Sequence, residues 1–210
     1  MKQILLIDDH EVVRIGLKKV LGDALPIGEC SEANSPKEAL DLAATKEWDL
    51  VILELAIDRN RGLDLLKEIK RTSPKTPILV VTAHSEQQYA VRSLKAGASG
   101  YVTKASYASE ILSAVKKVVE GGRYVSASFA ETLDADLQRN EPENIHEMLS
   151  DREFQVMRLI GSGKTVSQIA ALLSISDKTV STYRARILEK SGLKNNAELV
   201  RYVVERGLLE

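Results

Sequence analysis

Acidic, hydroxyl and ammonium side chains stand at the ends of short apolar runs. ILLI leads into Asp8 and Asp9, DLVIL into Glu54, PILVV into Thr82, and GYVT into Lys104. Carboxylates brought together repel one another unless a cation joins them, and hard oxygen ligands with room for water suit Mg²⁺ at Asp8, Asp9 and Glu54. A hydroxyl and an ammonium facing a metal-bound carboxylate are the parts that hold a phosphoryl group on it. That chemistry makes one demand of the fold: the runs must end at the same rim.

The apolar runs QILLI, DLVIL, PILVV and GYV alternate with segments of helical period: VVRIGLKKVL, PKEALDLAA, LDLLKEIK, QYAVRSLKAG and ASEILSAVKKVVEG. A weaker strand, roughly IGECSEA, lies between the first two helices, so five strands and five helices are expected. Strands alternating with helices form βαβ units around a parallel sheet, whose ligand crevice lies outside the C-terminal strand ends. Ser35, Pro36 and Glu38 place an N-cap, an N1 proline and a capping-box acid at the second helix, and Gly121 with Gly122 stops the fifth.

The polar, acidic stretch that follows predicts a linker over 123–147 with one short helix, between a first domain over 1–122 and a second over 148–210. The second opens on LSDREF, where Ser150 and Glu153 form a capping box and Leu149 with Phe154 a hydrophobic staple. Phe154, Met157, Leu159 and Ile160 make an apolar stripe, GSG ends that helix, and TVSQIAALL, SIS and DKTVSTYRARILEKSG then read as helix, tight turn and longer helix. Helix, short turn, helix is a DNA-reading arrangement.

Over nearly its whole length the chain resembles bacterial two-component response regulators of the NarL/FixJ class, a receiver domain followed by a LuxR-type helix-turn-helix. IDDHEVVRIGL, DLVILELAIDRNRGLDLLKEIK, VVTAH, KAGASGYVTK and the segment from LSDREF to NNAEL carry the resemblance. It implies an α/β, flavodoxin-like (βα)5 receiver with sheet order 2-1-3-4-5, and a small all-α domain of four helices. Carried over, Asp8 and Asp9 are metal-site acids, Thr82 is the switch hydroxyl, Tyr101 the aromatic that turns inward on activation, and Lys104 the phosphate-contacting lysine. The implied partners are double-stranded DNA, a cognate sensor histidine kinase and a second copy of the chain.

Two positions depart from the family. Its phosphoacceptor is aspartate where Glu54 stands, and it usually has proline where Asp58 stands, before a loop closing at Gly62. Asp58 itself is read as a loop charge without a role. Glutamate is longer by one C–C bond, about 1.5 Å, so its charge moves toward where phosphoryl oxygens would lie. Glu54 can therefore imitate the phosphorylated state and bias the receiver on. Two other readings stand beside this: control by concentration, dimerisation or another ligand after loss of phosphorylation, and phosphate still accepted by the glutamate.

In the LuxR-type pattern the helix beginning near Asp177 enters the major groove. Helical spacing sets Lys178, Ser181, Thr182 and Ala185 close to one face, with Tyr183, Arg184, Arg186 and Lys190 on neighbouring faces. By resemblance Ser181, Thr182 and Ala185 occupy base-reading positions, while Lys178, Tyr183, Arg184 and Lys190 meet the phosphate backbone. Val180, Ile187 and Leu188 are expected in the core. GSGKT is no P-loop, since Arg158 stands where the first glycine belongs and a helix rather than a strand precedes it. His10, His84 and His146 are scattered, with His84 expected as an exposed loop residue.

Composition agrees with two ordinary domains: 210 residues, 44% hydrophobic and 28% charged. From Met148 onward the chain carries 10 Lys+Arg against 7 Asp+Glu, within a total charge of −1. A mildly basic tail fits a polyanionic partner. The single cysteine, Cys30, suits a reducing compartment, and the opening apolar run is too short to be a signal peptide or to span a bilayer, so a cytoplasmic protein without membrane attachment is expected. The rival to a transcription regulator is a Mg²⁺-dependent phosphate-handling enzyme on a similar sheet, which leaves the last third of the chain without a purpose. A non-enzyme is expected.

Overall fold

The computed structural model describes residues 1–23, 25–131 and 144–209, and the chain divides into two compact units, Met1–Glu131 and Thr132–Glu210. In the first, β1 (Lys2–Ile7), α1 (Glu11–Gly22), β2 (Ile27–Ala33), α2 (Pro36–Ala43) and β3 (Leu50–Leu53) are followed by α3 (Ile57–Asn60) and α4 (Gly62–Thr72). Then come β4 (Ile78–Thr82), α5 (Glu86–Lys95), β5 (Gly100–Thr103) and α6 (Ala108–Val119). The strands pair in parallel in the order β2-β1-β3-β4-β5.

Both faces of the sheet are apolar because helices cover both. Ile4, Leu6, Leu50, Ile52, Leu79, Val81 and Val102 pack with Leu17 and Leu21 of α1 and with Ile111, Ala114, Val115 and Val118 of α6. The alternate set, Leu5, Ile7, Val51, Leu53 and Val80, is buried as well, as strand alternation requires in a doubly covered sheet. Each strand core is thus fixed on two sides, and its C-terminal end is held in register.

Three features differ from the expected pattern. The helix α3 adds a single turn where a loop was expected between β3 and Gly62. There Asp58 adopts a left-handed φ of 43°, the Arg61 N–H donates to the Ile57 carbonyl at 3.0 Å, and the Arg61 guanidinium pairs with Asp58 at 3.2 Å. Gly62 follows because a Cβ there would stand 2.4 Å from the Leu55 Cα and 2.6 Å from the Glu54 carbonyl oxygen. Second, residues 123–131, expected at the start of the linker, pack on the first unit. Tyr124 bridges to Gly100, Ser126 donates twice to the Glu86 carboxylate, residues 127–131 are helical (α7), and Phe129 is buried. Third, the linker's end at 144–147 holds a 3-10 turn, Ile145–Met148, whose His146 is buried against the second unit, its Nδ1 lying 2.8 Å from the Tyr202 hydroxyl. The remaining linker residues, 132–143, lie outside the described chain.

The second unit contains α8 (Asp151–Gly161), α9 (Val166–Leu173), α10 (Asp177–Ser191) and α11 (Asn196–Glu205). Ser150 and Glu153 form the expected capping box, and Thr165 with Gln168 forms another at α9. Phe154, Val156, Met157, Ile160, Ile169, Val180, Ile187, Leu199 and Val203 are its buried core. Leu159 and Leu188, expected among them, are only half-buried. Gly161 does more than end its helix: a Cβ there would lie 2.4 Å from Val203 Cγ1, so α8 and α11 approach at a point only glycine allows. Among the described residues no helix is long and apolar enough to cross a membrane.

Candidate functional site

The strand order brings the chemical residues to one rim. β1 and β3 are neighbours, and the Glu54 N–H donates to the Ile7 carbonyl at 2.9 Å, which seats Glu54 beside Asp8. β4 and β5 are neighbours too, and the Lys104 N–H donates to the Thr82 carbonyl at 2.7 Å. Four side chains from four strand ends therefore converge.

Their geometry is a closed ionic cluster. Lys104 Nζ lies 2.6 Å from Asp8 Oδ2 and 2.6 Å from Glu54 Oε2. The Thr82 hydroxyl donates to Glu54 Oε1, and the Ala56 N–H donates to the same oxygen at 2.8 Å. Glu54 is only 1% exposed, yet both of its oxygens have partners. Burial pushes its carboxyl up, but the Ala56 N–H, the Lys104 ammonium and the Thr82 hydroxyl outweigh that and hold it below the usual carboxylate range. Burial likewise pushes the Lys104 ammonium down, and Asp8 and Glu54 raise it above the ordinary lysine value. A buried carboxylate is thus kept charged at neutral pH.

The residues that the resemblance assigns to a switch, Thr82 and Tyr101, sit around this cluster. Tyr101 is fully buried, its hydroxyl donating to the His84 carbonyl at 3.0 Å and lying 3.3 Å from the Ser85 carbonyl. His84 is not the exposed loop histidine expected. It is 3% exposed, its ring stacks on Tyr89 with centroids 4.5 Å apart, and its N–H donates to Thr82 Oγ1 at 3.3 Å. His84 therefore links the hydroxyl that touches Glu54 to the aromatic on the next strand. Nothing in the local sequence beyond its adjacency to VVT announces this, because the burial comes from α5 folding over it.

The acids divide differently from the expected set of Asp8, Asp9 and Glu54. Ligand atoms of Asp8, Asp9 and His10 lie within 4.8 Å of one another, whereas Glu54 is outside that group and bound to Lys104. His10 Nδ1 is 2.9 Å from Asp9 Oδ1 and 3.2 Å from Asp8 Oδ1. Arg14 adds a brace, donating to the Asp8 carbonyl at 2.7 Å while its Nε donates to Glu32 at 2.7 Å. His10, two residues after Asp8 in IDDH, thus joins the two acids, although the scatter of the histidines in the sequence does not announce it.

On α10 the buried Val180 and Ile187 face inward, so Lys178, Ser181, Thr182, Ala185 and Arg186 are exposed. Tyr183 and Arg184 are half-buried, and the Arg184 Nε donates to Asn196 Oδ1 at 2.6 Å. Lys190 is engaged too: its Nζ lies 2.6 Å from Oε2 of the buried Glu153, the acid of the α8 capping box. Lys190 and Lys178 are thus differently placed for a backbone role, one tied into the unit and the other open.

Comparison with known proteins adds a lineage to this geometry. Residues 4–116 match the family model described as the response regulator receiver domain, and residues 147–203 match that of bacterial regulatory proteins, luxR family. The chain is 31% identical to response regulator UvrY of Escherichia coli over 99% of its length and 96% of that protein's. It is also 31% identical to response regulator GacA of Pseudomonas aeruginosa, over 100% of its length and 99% of that protein's. A solved structure of RcsB from Salmonella enterica serovar Typhimurium, bound to promoter rprA in the presence of phosphomimetic BeF3-, shares the fold with a TM-score of 0.65 at 23% identity, covering 97% of this chain and 99% of that one. The chain belongs to the response regulators of the NarL/FixJ class, which join a receiver domain to a luxR-family C-terminal domain.

Proposed function

We propose that this chain is a DNA-binding transcriptional response regulator whose receiver carries, in the Glu54 carboxylate, a built-in stand-in for a phosphoryl group. The observation that carries this reading is the engagement of Glu54 by the Thr82 hydroxyl and the Lys104 ammonium, the two groups the family resemblance assigns to phosphate. The buried Tyr101 beside them supports the same reading. The imitation is partial, since a carboxylate has one charge and two oxygens where phosphate brings nearly two charges and three oxygens. The extra methylene of Glu54 displaces its carboxylate from the near-attack position an aspartate would hold, so a cognate sensor kinase acts through some route other than transfer to this side chain.

Magnesium fits Asp8 and Asp9, two hard carboxylates beside the more exposed rim, with His10 adjacent. When bound, it would neutralise charge at the rim. Glu54 would join only by releasing Lys104. DNA would be met by α10 through Lys178, Ser181, Thr182 and Ala185, with Tyr183 and Arg184 at its flank, in a cytoplasmic homodimer on paired half-sites. The enzyme alternative loses its motive, because the luxR-family match over 147–203 gives the C-terminal unit a purpose of its own.

A gel-shift titration of the full chain against genomic duplex fragments tests the function. Retention in low salt that falls steeply as salt rises is the expected result, since neutralised phosphates release counterions. Turnover of a phosphate ester without any retained duplex would favour the enzyme instead.

A further inference from the structure

The exposed middle of α10 has no free hydrogen-bond donor on its short side chains. The Ser181 hydroxyl donates to the Asp177 carbonyl at 2.9 Å, and the Thr182 hydroxyl donates to the Lys178 carbonyl at 2.9 Å, each one turn back along the helix. A hydroxyl has one hydrogen and two lone pairs. With the hydrogen spent on the helix, Ser181 and Thr182 offer the groove lone pairs only, and Thr182 adds a methyl. Ala185, one turn further on, offers only a methyl. Of the two guanidiniums that flank Ala185, Arg184 is held by Asn196 at 2.6 Å and Arg186 is exposed, and the Lys190 ammonium is held by Glu153 at 2.6 Å.

The major-groove edges differ in what they ask of such a surface. Guanine shows two acceptors, N7 and O6; adenine and cytosine each show an amino donor; thymine shows a methyl and one acceptor. Acceptors facing acceptors repel, and for either hydroxyl to donate to guanine it would have to give up its bond to the helix. We propose that the middle of α10 recognises steps rich in A·T pairs. Thymine methyls pack on the Thr182 and Ala185 methyls, adenine or cytosine amino groups donate to Ser181 and Thr182, and guanine N7 and O6 at those steps go unread. Lys178 and Arg186, exposed on the same helix, would supply phosphate contact rather than this choice. The inference rests on the reading of α10 as the DNA helix and names the base class it takes.

The test uses the full chain and a randomised duplex pool. The duplexes it retains are sequenced, and one is resynthesised with uracil replacing each thymine in turn, then with 7-deazaguanine replacing each guanine. Uracil is expected to weaken binding about fourfold at one or more central thymines, the effect of withdrawing one buried methyl. For a thymine that packs on Thr182 that penalty disappears in Thr182→Ser, which keeps the hydroxyl. At the bracketing steps 7-deazaguanine is expected to be silent. Retained duplexes without central thymines, uracil tolerated at every position, a penalty at every sensitive thymine that survives in Thr182→Ser, or a cost from 7-deazaguanine at those steps would each overturn the base assignment while leaving DNA binding intact. Failure to retain any duplex in low salt would instead overturn the functional reading on which it rests.

Discussion

At the scale of single residues, one lysine does most to define the rim. Lys104 lies between two carboxylates that are 3% and 1% exposed, Asp8 and Glu54. Remove the ammonium and two buried anions face each other, which costs about 3 kcal/mol at neutral pH. Lys104→Met is therefore expected to lower receiver stability by that amount, read from the fluorescence of Trp48, the single and buried tryptophan, during urea unfolding. The pH dependence follows from the shifts. Glu54 is depressed in the folded chain, so its contribution is present above its ordinary 4.5 and lost as pH falls through its lower folded value. Lys104 is raised, so its contribution is present below 10.5 and lost as pH rises through its higher folded value. The gap between the two proteins is thus widest between those limits and closes toward acid. Equal unfolding midpoints at neutral pH would refute the cluster's role. Asp8, Glu54, Thr82 and Lys104 were legible in sequence because each closes an apolar run. His84 and His10 were not, because their places depend on a covering helix and on a loop conformation that local pattern does not encode.

At the scale of elements, strands and helices followed the period of their apolar residues, down to β2 at Ile27–Ala33. The misreadings cluster where tertiary contact overrides composition. Residues 123–131 look like linker because only small or polar residues and one valine lie between two aromatic anchors, Tyr124 and Phe129, and a pair of anchors carries no period. Gly161 reads as a helix stop, although its small size also admits Val203 of α11. Lys190, read as a phosphate contact on a basic helix, also pairs with Glu153 of the α8 capping box, a contact that local pattern does not announce. Burial pushes the Glu153 carboxyl up, and Lys190 and Ser150 bring it below the ordinary range. Lys190→Ala is expected to destabilise the second unit by about 1 kcal/mol, a figure discounted for the partly exposed lysine. The measurement is amide exchange in α8, with the salt slope of duplex binding unchanged. A slope reduced by about one with undisturbed exchange would return Lys190 to the DNA backbone.

At the scale of the whole chain, two compact units, Met1–Glu131 and Thr132–Glu210, carry the rim of Glu54 and the helix α10, and the proposed control is a free-energy coupling between those two sites. Family membership was readable from motifs spread across both units. The contacts of Glu54 with Thr82 and Lys104 were not legible in the same way, since they depend on the strand order that brings three separate runs to one rim. The most direct test compares duplex affinity of the full chain with its Glu54→Ala variant under one salt condition, using a duplex retained by the starting protein. If the carboxylate biases the receiver toward the DNA-competent state, the variant should bind about tenfold more weakly, within the usual range of such couplings. Equal affinity of the two proteins would contradict the account.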